Sequence, residues 1–446
     1  MREKEFLPLV KERLGIEQLN PMQQKMMQSA SEGRDIILLS PTGSGKTLAF
    51  ILPVLKMLRP SSGRVQAVVI APSRELVIQI ASIFGNIAAG FKVTALYGGH
   101  KVEDEVNSLA AGTDIVVATP GRLLDHINRR NIDVLPTRIV VLDEFDKSLE
   151  LGFEKEMKKI FGRLKNVSRI LLTSATRADV LPDFLNLTSP LTIDYLGGEA
   201  ELRSRVRVHR VDSDSNDKLA SLLTLLRNLS EDAGGATERS IVFVNHRESA
   251  DRTAQFLRKN GVPAIVYHGD LDQRDREKAV AMFNNGSRPV LVATDLAARG
   301  LDIRNVRNII HYHQPLTPET WTHRNGRTAR VDAEGDVYLL VGPKEDVKEY
   351  VDFDTTYYLD PERRGNLRAA ADSIYFSAGK KDKLSRGDVL GFLVKEGGVA
   401  PEDIGRIDVY DHYALAAVRS EAARKAVERV KGKKIKGEKR IVSIIG

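Results

Sequence analysis

Short apolar runs rich in Val, Ile and Leu alternate with longer helix-like stretches along most of this chain, and that alternation restricts its fold more than any other feature. The first strand candidates are Asp35–Leu39, Ala67–Ile70, Lys92–Leu96, Asp114–Ala118, Arg138–Leu142 and Arg169–Thr173, with amphipathic windows such as Lys46–Leu58 and Arg74–Asn86 between them. A second series begins after Asp212 with Ser240–Val244, Ala264–Tyr267, Pro289–Ala293, Asn308–His311 and Asp336–Val341. Strands that alternate with helices predict α/β domains, each a parallel sheet with helices on both faces. Gly197–Arg205, two glycines and then charged residues, reads as the joint between the two series. The charge-rich stretch Pro343–Arg368 reads as a connection that includes a helix.

The last segment follows another order: a strand at Ser373–Ser377, a helix at Ser385–Lys395, strands at Gly405–Tyr410 and Tyr413–Val418, a helix at Glu421–Val430 and a strand at Arg440–Ile445. This βαββαβ order is a split βαβ arrangement found in RNA-recognition folds. The predicted domains are residues 1–198, 203–360 and 371–446. From Ala371 to Gly446 there are 16 Lys and Arg against 11 Asp and Glu, so most of the formal +7 charge lies there. Arg429–Arg440 holds seven basic residues and one acidic residue. Such a run is either a solvated tail or a surface that neutralises phosphates and releases counterions. The folded-looking sequence on its flanks favours the polyanion surface.

The 446 residues contain no cysteine, which excludes a disulfide scaffold, a thiolate metal site and a cysteine nucleophile. With 42% hydrophobic and 28% charged residues, wholesale disorder is excluded as well. Apolar runs such as Ile139–Leu142 fall far below the roughly 20 residues of a membrane span. No apolar segment follows Met1-Arg2-Glu3-Lys4-Glu5, so no signal peptide is read. A soluble, cytoplasmic protein with no membrane partner is expected. No heptad or large apolar stripe stands out, which points to a monomer.

Four stretches carry chemistry. Ser40-Pro41-Thr42-Gly43-Ser44-Gly45-Lys46-Thr47 follows a strand candidate and opens a helix candidate. Glycines let backbone N–H groups converge on phosphate oxygens, and the helix N-terminus adds a positive dipole end. Lys46 suits the β- and γ-phosphates and the Thr47 hydroxyl suits Mg²⁺; the general pattern has glycine where this chain has Ser40. Asp143-Glu144-Phe145-Asp146 follows another strand candidate. There Asp143 suits Mg²⁺ and Glu144 suits a general base for the attacking water. Thr294–Asp302 ends a third strand candidate: Thr294 and Arg299 suit phosphate contacts and Asp302 a ribose hydroxyl, although an ordinary strand–helix loop fits too. His323-Arg324-Asn325-Gly326-Arg327-Thr328-Ala329-Arg330 places Arg327 and Arg330 on one face if helical. Read alone, it is equally a solvated basic face or a site that stabilises charge on a γ-phosphoryl group.

Together these stretches resemble the DEAD-box family of ATP-dependent RNA helicases, in kind, order and spacing, from about Gly15 to Val341. The resemblance implies two tandem RecA-like domains that use ATP and Mg²⁺ and close on ATP and RNA together. Gly15-Ile16-Glu17-Gln18-Leu19-Asn20-Pro21-Met22-Gln23 resembles the adenine-recognition motif, with Gln23 as the adenine-reading amide. Arg74 within Ala71–Leu76, Gly98-Gly99, and Thr119-Pro120-Gly121-Arg122 resemble RNA-backbone motifs of the first domain. Ser174-Ala175-Thr176 resembles the motif that couples ATP state to RNA state. Phe243-Val244-Asn245, and Gly269 with Gln273 and Arg276, resemble RNA-side motifs of the second domain, to which Thr294 and Arg299 add. The family roles place Thr42, Gly43, Ser44, Gly45, Lys46 and Thr47 around the phosphates and Asp302 on the nucleotide. They place Arg327 and Arg330 on the γ-phosphate as arginine fingers.

Two departures carry expectations of their own. Phe145 stands where the family has alanine, so a bulky ring must find room near the coupling motif. Ile16 stands where the family usually has an aromatic, so adenine stacking is weaker or comes from elsewhere, Phe6 being a candidate. The C-terminal segment resembles the RNA-binding domain of the bacterial DbpA group, on Gly379-Lys380-Lys381-Asp382-Lys383, Gly387–Gly391, Asp403–Val409 and Lys434-Ile435-Lys436-Gly437. That likeness implies an RRM-like fold, a structured hairpin of 23S ribosomal RNA as target, and a tethered anchor that leaves the core free to work nearby. Tyr375, Tyr410 and Tyr413 suit either base stacking or packing. An ATP-gated RNA clamp with little strand separation would use the same active-site residues.

Overall fold

A run such as Ala67–Ile70, apolar at every position, can be buried on both faces, and in the computed structural model it forms an inner strand of a parallel sheet. The structure describes residues 3–445 apart from 42, 100, 178–180, 188, 197–205, 235–236, 298–302, 304–305 and 329–334. The chain divides into two units, Met1–Arg203 and Ser204–Gly446.

In the first unit β1 (Ile36–Leu39), β2 (Ala67–Ile70), β3 (Val93–Leu96), β4 (Ile115–Ala118), β5 (Ile139–Leu142), β6 (Arg169–Ser174) and β7 (Leu191–Asp194) form one sheet. Their order is β3-β4-β2-β5-β6-β1-β7, with every pair parallel. Alternate side chains feed two cores: Ala67 and Val69 join Phe50, Ile80 and Phe84, while Val68 and Ile70 join Leu123, Met157 and Ile160. Phe6, offered as an adenine-stacking candidate, is fully buried in the first of these cores and cannot stack on a ligand.

The second unit repeats the plan. Here β8 (Val206–Asp212), β9 (Ser240–Phe243), β10 (Ala264–Tyr267), β11 (Val290–Ala293), β12 (Asn308–His311), β13 (Gly335–Val341) and β14 (Thr355–Thr356) lie in the order β10-β11-β9-β12-β13-β8-β14, all parallel. Each strand takes the place that the strand seven earlier holds in the first sheet. Two expectations need correction. The series begins with β8, before Asp212, and Pro343–Arg368 contains no helix. That stretch instead runs along the sheet edge and supplies β14, held by Asp354, which accepts from Val208 N–H at 2.8 Å, and by Glu345, which pairs with Lys218.

The C-terminal part of this unit has β15 (Ala371–Phe376), β16 (Ile404–Val409), β17 (Ala414–Arg419) and β20 (Val442–Ile445) in an antiparallel sheet ordered β16-β17-β15-β20. Helices Arg386–Lys395 and Ser420–Val430 cover one face through Ile374, Phe376, Val389, Leu393 and Ala416. A small hairpin of β18 (Lys434–Ile435) and β19 (Glu438–Lys439) precedes the last strand. The other face carries the three tyrosines, and it packs on helix Gln273–Asn284 through Ala281 and Met282. Tyr413 stacks on Tyr410 and Tyr375 at centroid distances of 4.6 and 5.9 Å. Arg274 donates to the Tyr375 hydroxyl at 2.6 Å, and its guanidinium lies 5.1 Å from the Tyr413 ring centre. Asn285 donates to Ser373 Oγ at 2.9 Å. These tyrosines therefore pack against protein, and the C-terminal domain is docked on helix Gln273–Asn284.

Candidate functional site

Parallel sheets expose the C-terminal ends of their strands to ligands. In the first unit the phosphate loop, Arg74, Gly98-Gly99, Thr119, Asp143-Glu144 and Ser174–Thr176 lie at the ends of β1 to β6 in turn.

The phosphate loop must turn from β1 into helix Lys46–Met57, and Gly43 and Gly45 do so at φ of 85° and 90°. A Cβ on Gly45 would lie 2.7 Å from Gln23 Nε2. Gln23 and Asn20 form a capping box at the start of helix Pro21–Ser29: Gln23 N–H donates to Asn20 Oδ1 at 2.9 Å and Asn20 N–H to Gln23 Oε1 at 3.0 Å. Asn20 Nδ2 then donates to the Ser44 carbonyl at 3.0 Å and Gln23 Nε2 to that of Gly45 at 3.3 Å. The expected adenine motif thus braces the phosphate loop directly. Ser40 is fully buried, and its hydroxyl donates to Ser44 Oγ at 2.6 Å, which gives this serine an internal role where the general pattern has glycine. Lys46 Nζ donates to the Ser40 carbonyl at 2.6 Å. Thr42 lies outside the described residues.

At the end of β5, burial pushes the Asp143 carboxyl above the usual carboxylate range, while a 2.5 Å hydrogen bond from the Thr173 hydroxyl and the charge of Lys46 act against that shift. The same Thr173 oxygen accepts from Glu144 N–H at 3.2 Å. Glu144 takes φ 46° and ψ 54°, a left-handed conformation unusual for a non-glycine residue. Asp146 accepts from the Thr176 hydroxyl at 2.8 Å, and Ser174 Oγ donates to the Thr176 carbonyl at 2.6 Å. The acidic turn and the coupling motif are therefore tied together by Thr173 and Asp146, two residues to which the sequence reading gave no separate role. Phe145, 2% exposed, finds its room in the core beside Leu123, Leu142 and Met157. A buried carboxylate in the field of Lys46, with the Thr47 hydroxyl on the adjoining helix, is a donor set that suits a divalent cation whose shell phosphates and water complete. Among the described residues no cluster of three or more acidic or histidine side chains would hold a metal by protein groups alone.

The β2, β3 and β4 ends are neighbours in the sheet. Arg74 opens a helix, and its guanidinium covers the next turn: a Cβ on Gly98 or Gly99 would lie 3.2 or 2.4 Å from it. Thr119 N–H donates to the Leu96 carbonyl at 3.0 Å, and Pro120-Gly121-Arg122 starts helix Pro120–Asn128. Arg122 Nε donates to Glu105 at 2.5 Å.

In the second unit Asn245 and Thr294 follow β9 and β11, and Gln273 and Arg276 lie on the helix that carries the C-terminal domain. Gln273 Nε2 donates to Glu277 at 3.3 Å, and Arg276 is 7% exposed. Arg324 is fully buried and bonds Asp295, His313 and Asn245. Helix Pro318–Asn325 ends before Gly326, so Arg327 sits in the following turn. Arg327 is 2% exposed. Arg299, Asp302 and Arg330 lie outside the described residues.

Comparison with known proteins accounts for all three parts. Residues 20–184 match the family described as DEAD/DEAH box helicase, 217–332 the helicase conserved C-terminal domain, and 373–444 the DbpA RNA binding domain. The ATP-dependent RNA helicase DbpA of Escherichia coli K12 is 32% identical over 95% of this chain and 94% of its own length. The DEAD-box ATP-dependent RNA helicase CshA of Bacillus subtilis is 35% identical over 75% of this chain and 67% of its own. Among solved structures, the DEAD-box helicase Mss116 bound to single-stranded RNA and UDP-BeF aligns with TM-score 0.71 and 26% identity, over 81% of this chain and 78% of that one. A relative alike over nearly its whole length, with each parallel-sheet domain and the small antiparallel domain matched separately, places the chain in the DEAD-box ATP-dependent RNA helicases, RNA-binding enzymes with RNA-stimulated ATPase activity.

Proposed function

We propose that this enzyme locally unwinds or remodels 23S ribosomal RNA during assembly of the large ribosomal subunit, as a cytoplasmic monomer that recognises a structured RNA hairpin through residues 371–446. The observation that carries this reading is the distribution of charge on the C-terminal domain. Lys431, Lys433, Lys434, Lys436 and Lys439 are all exposed in and beside the β18–β19 hairpin, while the tyrosine face is covered by helix Gln273–Asn284. Contact with phosphates then falls to the basic hairpin, not to base stacking on the sheet.

In the chemical step Thr42 to Thr47 cradle the phosphates, and Gln23 reads adenine. Thr47 and Asp143 hold Mg²⁺, which when bound neutralises phosphate charge. Glu144 takes the proton of the attacking water, Arg327 and Arg330 stabilise charge on the transferring phosphoryl group, and Asp302 contacts the nucleotide. Arg74, Gly98, Gly99 and Thr119 to Arg122 grip one RNA backbone, with Gln273, Arg276, Thr294 and Arg299 doing the same in the second domain. Ser174 and Thr176 relay between the two chemistries through Asp146.

Steady-state ATP hydrolysis with no nucleic acid, single-stranded RNA, matched DNA and total ribosomal RNA tests the target. A rise with ribosomal RNA at least about tenfold above that with single-stranded RNA is expected, in line with the several kcal/mol that separate specific from non-specific binding. Equal stimulation by every RNA would remove the ribosomal assignment. The backbone grip is tested at Gly99, whose φ of 101° strains any side chain and where a Cβ would push the Arg74 guanidinium aside. Strain of roughly 1–3 kcal/mol at such a position predicts that Gly99→Ala raises the half-saturating RNA concentration by about fivefold or more. An unchanged RNA titration curve would remove this turn from the RNA-binding surface.

A further inference from the structure

Glu105 is a buried carboxylate that the phosphoryl chemistry does not use. It lies on helix Val102–Ala110, 3% exposed, and three N–H groups converge on it. Oε1 accepts from the backbone N–H of Tyr97 at 2.8 Å. Oε2 accepts from Arg122 Nε at 2.5 Å and pairs with His126 Nε2 at 2.7 Å. Asn131 Nδ2 lies 3.2 Å from His126 Nδ1, so with Asn131 donating there the Nε2–H of His126 donates to Glu105. Burial alone would push the Glu105 carboxyl up, yet the hydrogen bonds from His126, Tyr97 and Arg122 hold it below the ordinary glutamate value, so the group stays ionised.

The partners explain why a buried charge sits here. Tyr97 is the residue directly before Gly98-Gly99, and Arg122 is in the first turn of the helix that follows Thr119. These segments leave adjacent strands, β3 and β4, and their backbones are also joined by the bond from Thr119 to Leu96. Arg122 keeps 14% of its side chain exposed, with its Nε–H committed to Glu105. We propose that Glu105 is a positioning residue for RNA: its one carboxylate locks the turn carrying Gly98-Gly99 to the helix carrying Arg122, so that both meet the same phosphodiester backbone in register. This rests on the reading above that these segments grip RNA. Its physical basis is that charge-assisted bonds with satisfied partners fix geometry in a buried site, and that an arm of fixed length reaches both partners at once.

The experiment measures the RNA concentration that half-saturates ATPase stimulation, and the maximal rate at saturating RNA, for the full chain. Glu105→Ala and Glu105→Asp are compared with Glu105→Gln. Asp keeps the charge but shortens the arm by one methylene, so it cannot hold Tyr97 and Arg122 together. Gln keeps the reach: with its amide oxygen in place of Oε2 it still accepts from Arg122 and His126, while its amide nitrogen faces the Tyr97 N–H and loses that one bond. Glu105→Ala and Glu105→Asp should each raise the half-saturating RNA concentration by about tenfold, near the 1.4 kcal/mol of one lost buried bond, with the maximal rate changed less than about twofold. Glu105→Gln, which keeps the Arg122 link but not the Tyr97 link, should fall between the parent and these two variants. Where Glu105→Ala does not fold, the Asp variant decides. Parent-like half-saturation in Glu105→Asp overturns the inference, and so does a loss of maximal rate without a change in half-saturation. Arg122→Ala, run alongside, separates the two levels. If it alone is parent-like, the RNA-grip reading fails and takes the inference with it. If it is impaired while Glu105→Asp is not, only the role of Glu105 fails.

Discussion

Glu144→Gln is expected to lower RNA-stimulated ATP turnover by at least about 100-fold, the scale of a lost general base, while the protein still binds ATP and RNA. Two carboxylates stand side by side after β5, and their surroundings divide the work between them. Asp143 is 2% exposed, faces the charge of Lys46 and already accepts from Thr173. A carboxylate so enclosed is suited to a cation and cannot swing toward water. Glu144 is turned away from the strand by its left-handed backbone, which Thr173 fixes from the other side by accepting its N–H. A non-glycine residue in this region carries strain of about 1 kcal/mol or more, and such strain persists where it aims a side chain. Glutamine has the same shape and keeps the backbone bond, so a loss of turnover without a loss of ATP binding isolates proton transfer. Single-turnover phosphate release and equilibrium ATP binding measure the two separately. Turnover within about tenfold of the parent would remove Glu144 as the base, because a positioned base contributes at least about 100-fold.

What could be read from the sequence follows from how local each cause is. Inner strands such as β2 and β11 are apolar at every residue, and their burial on both faces is written into four consecutive positions. The outer strands are not. β8 reads Val-Arg-Val-His-Arg-Val-Asp, and only Val211 in it is fully buried. Its charges are used sideways: His209 and Arg207 both meet Asp336 on β13. β7 likewise exposes Thr192 and Asp194. The charged segment after β13 has a helix-like composition, but its ionic residues pair with the two ends of helix Leu219–Asp232, Glu345 with Lys218 and Arg363 with Asp232, so composition pointed to the wrong backbone. The repeated strand order of the two sheets is carried by strand pairing, which a reading of single segments does not show.

The site divides in the same way. Residues that act within one loop, Lys46 and Thr47 or Asp143 and Glu144, are adjacent in sequence and could be found there. Thr173 and Glu105 could not, because each acts on residues from other elements, 8 to 30 positions away. Phe145 was visible as a departure, but its destination in the core depends on Leu123 and Met157 from two other helices. The tyrosines of the C-terminal domain had two readings in sequence, and only the covering helix with Arg274 and Met282 decides between them.

Arg324 gives the second large expectation, and it runs against a motif-level reading of the basic stretch from His323 to Arg330. Arg324→Ala is expected to destabilise the second domain by about 1–3 kcal/mol, the range for leaving buried partners unsatisfied, because Asp295, 36% exposed, stays partly hydrated when its partner is removed. The side chain is fully buried. Its Nε donates to Asp295 at 2.6 Å, Nη1 to the His313 carbonyl at 2.8 Å and Nη2 to Asn245 Oδ1 at 2.8 Å, and the guanidinium lies 5.1 Å from the Phe243 ring centre. It therefore joins the ends of β9, β11 and β12, three adjacent strands, and its loss leaves the His313 carbonyl and Asn245 Oδ1 without this donor. In the parent His311 has a pKa down at about 3, chiefly through burial and then through the nearby Arg324, so the cluster holds a single positive charge, on Arg324. The readout is built in. Trp321, the one tryptophan of the chain, stacks on His311 at 4.5 Å, so its fluorescence in urea follows this cluster and no other part of the protein. A midpoint shifted far to lower urea, with ATPase lost in proportion to the unfolded fraction, identifies Arg324 as a strut. A parent-like midpoint with turnover abolished would instead place this guanidinium in the phosphoryl chemistry, a role its burial and three internal partners argue against.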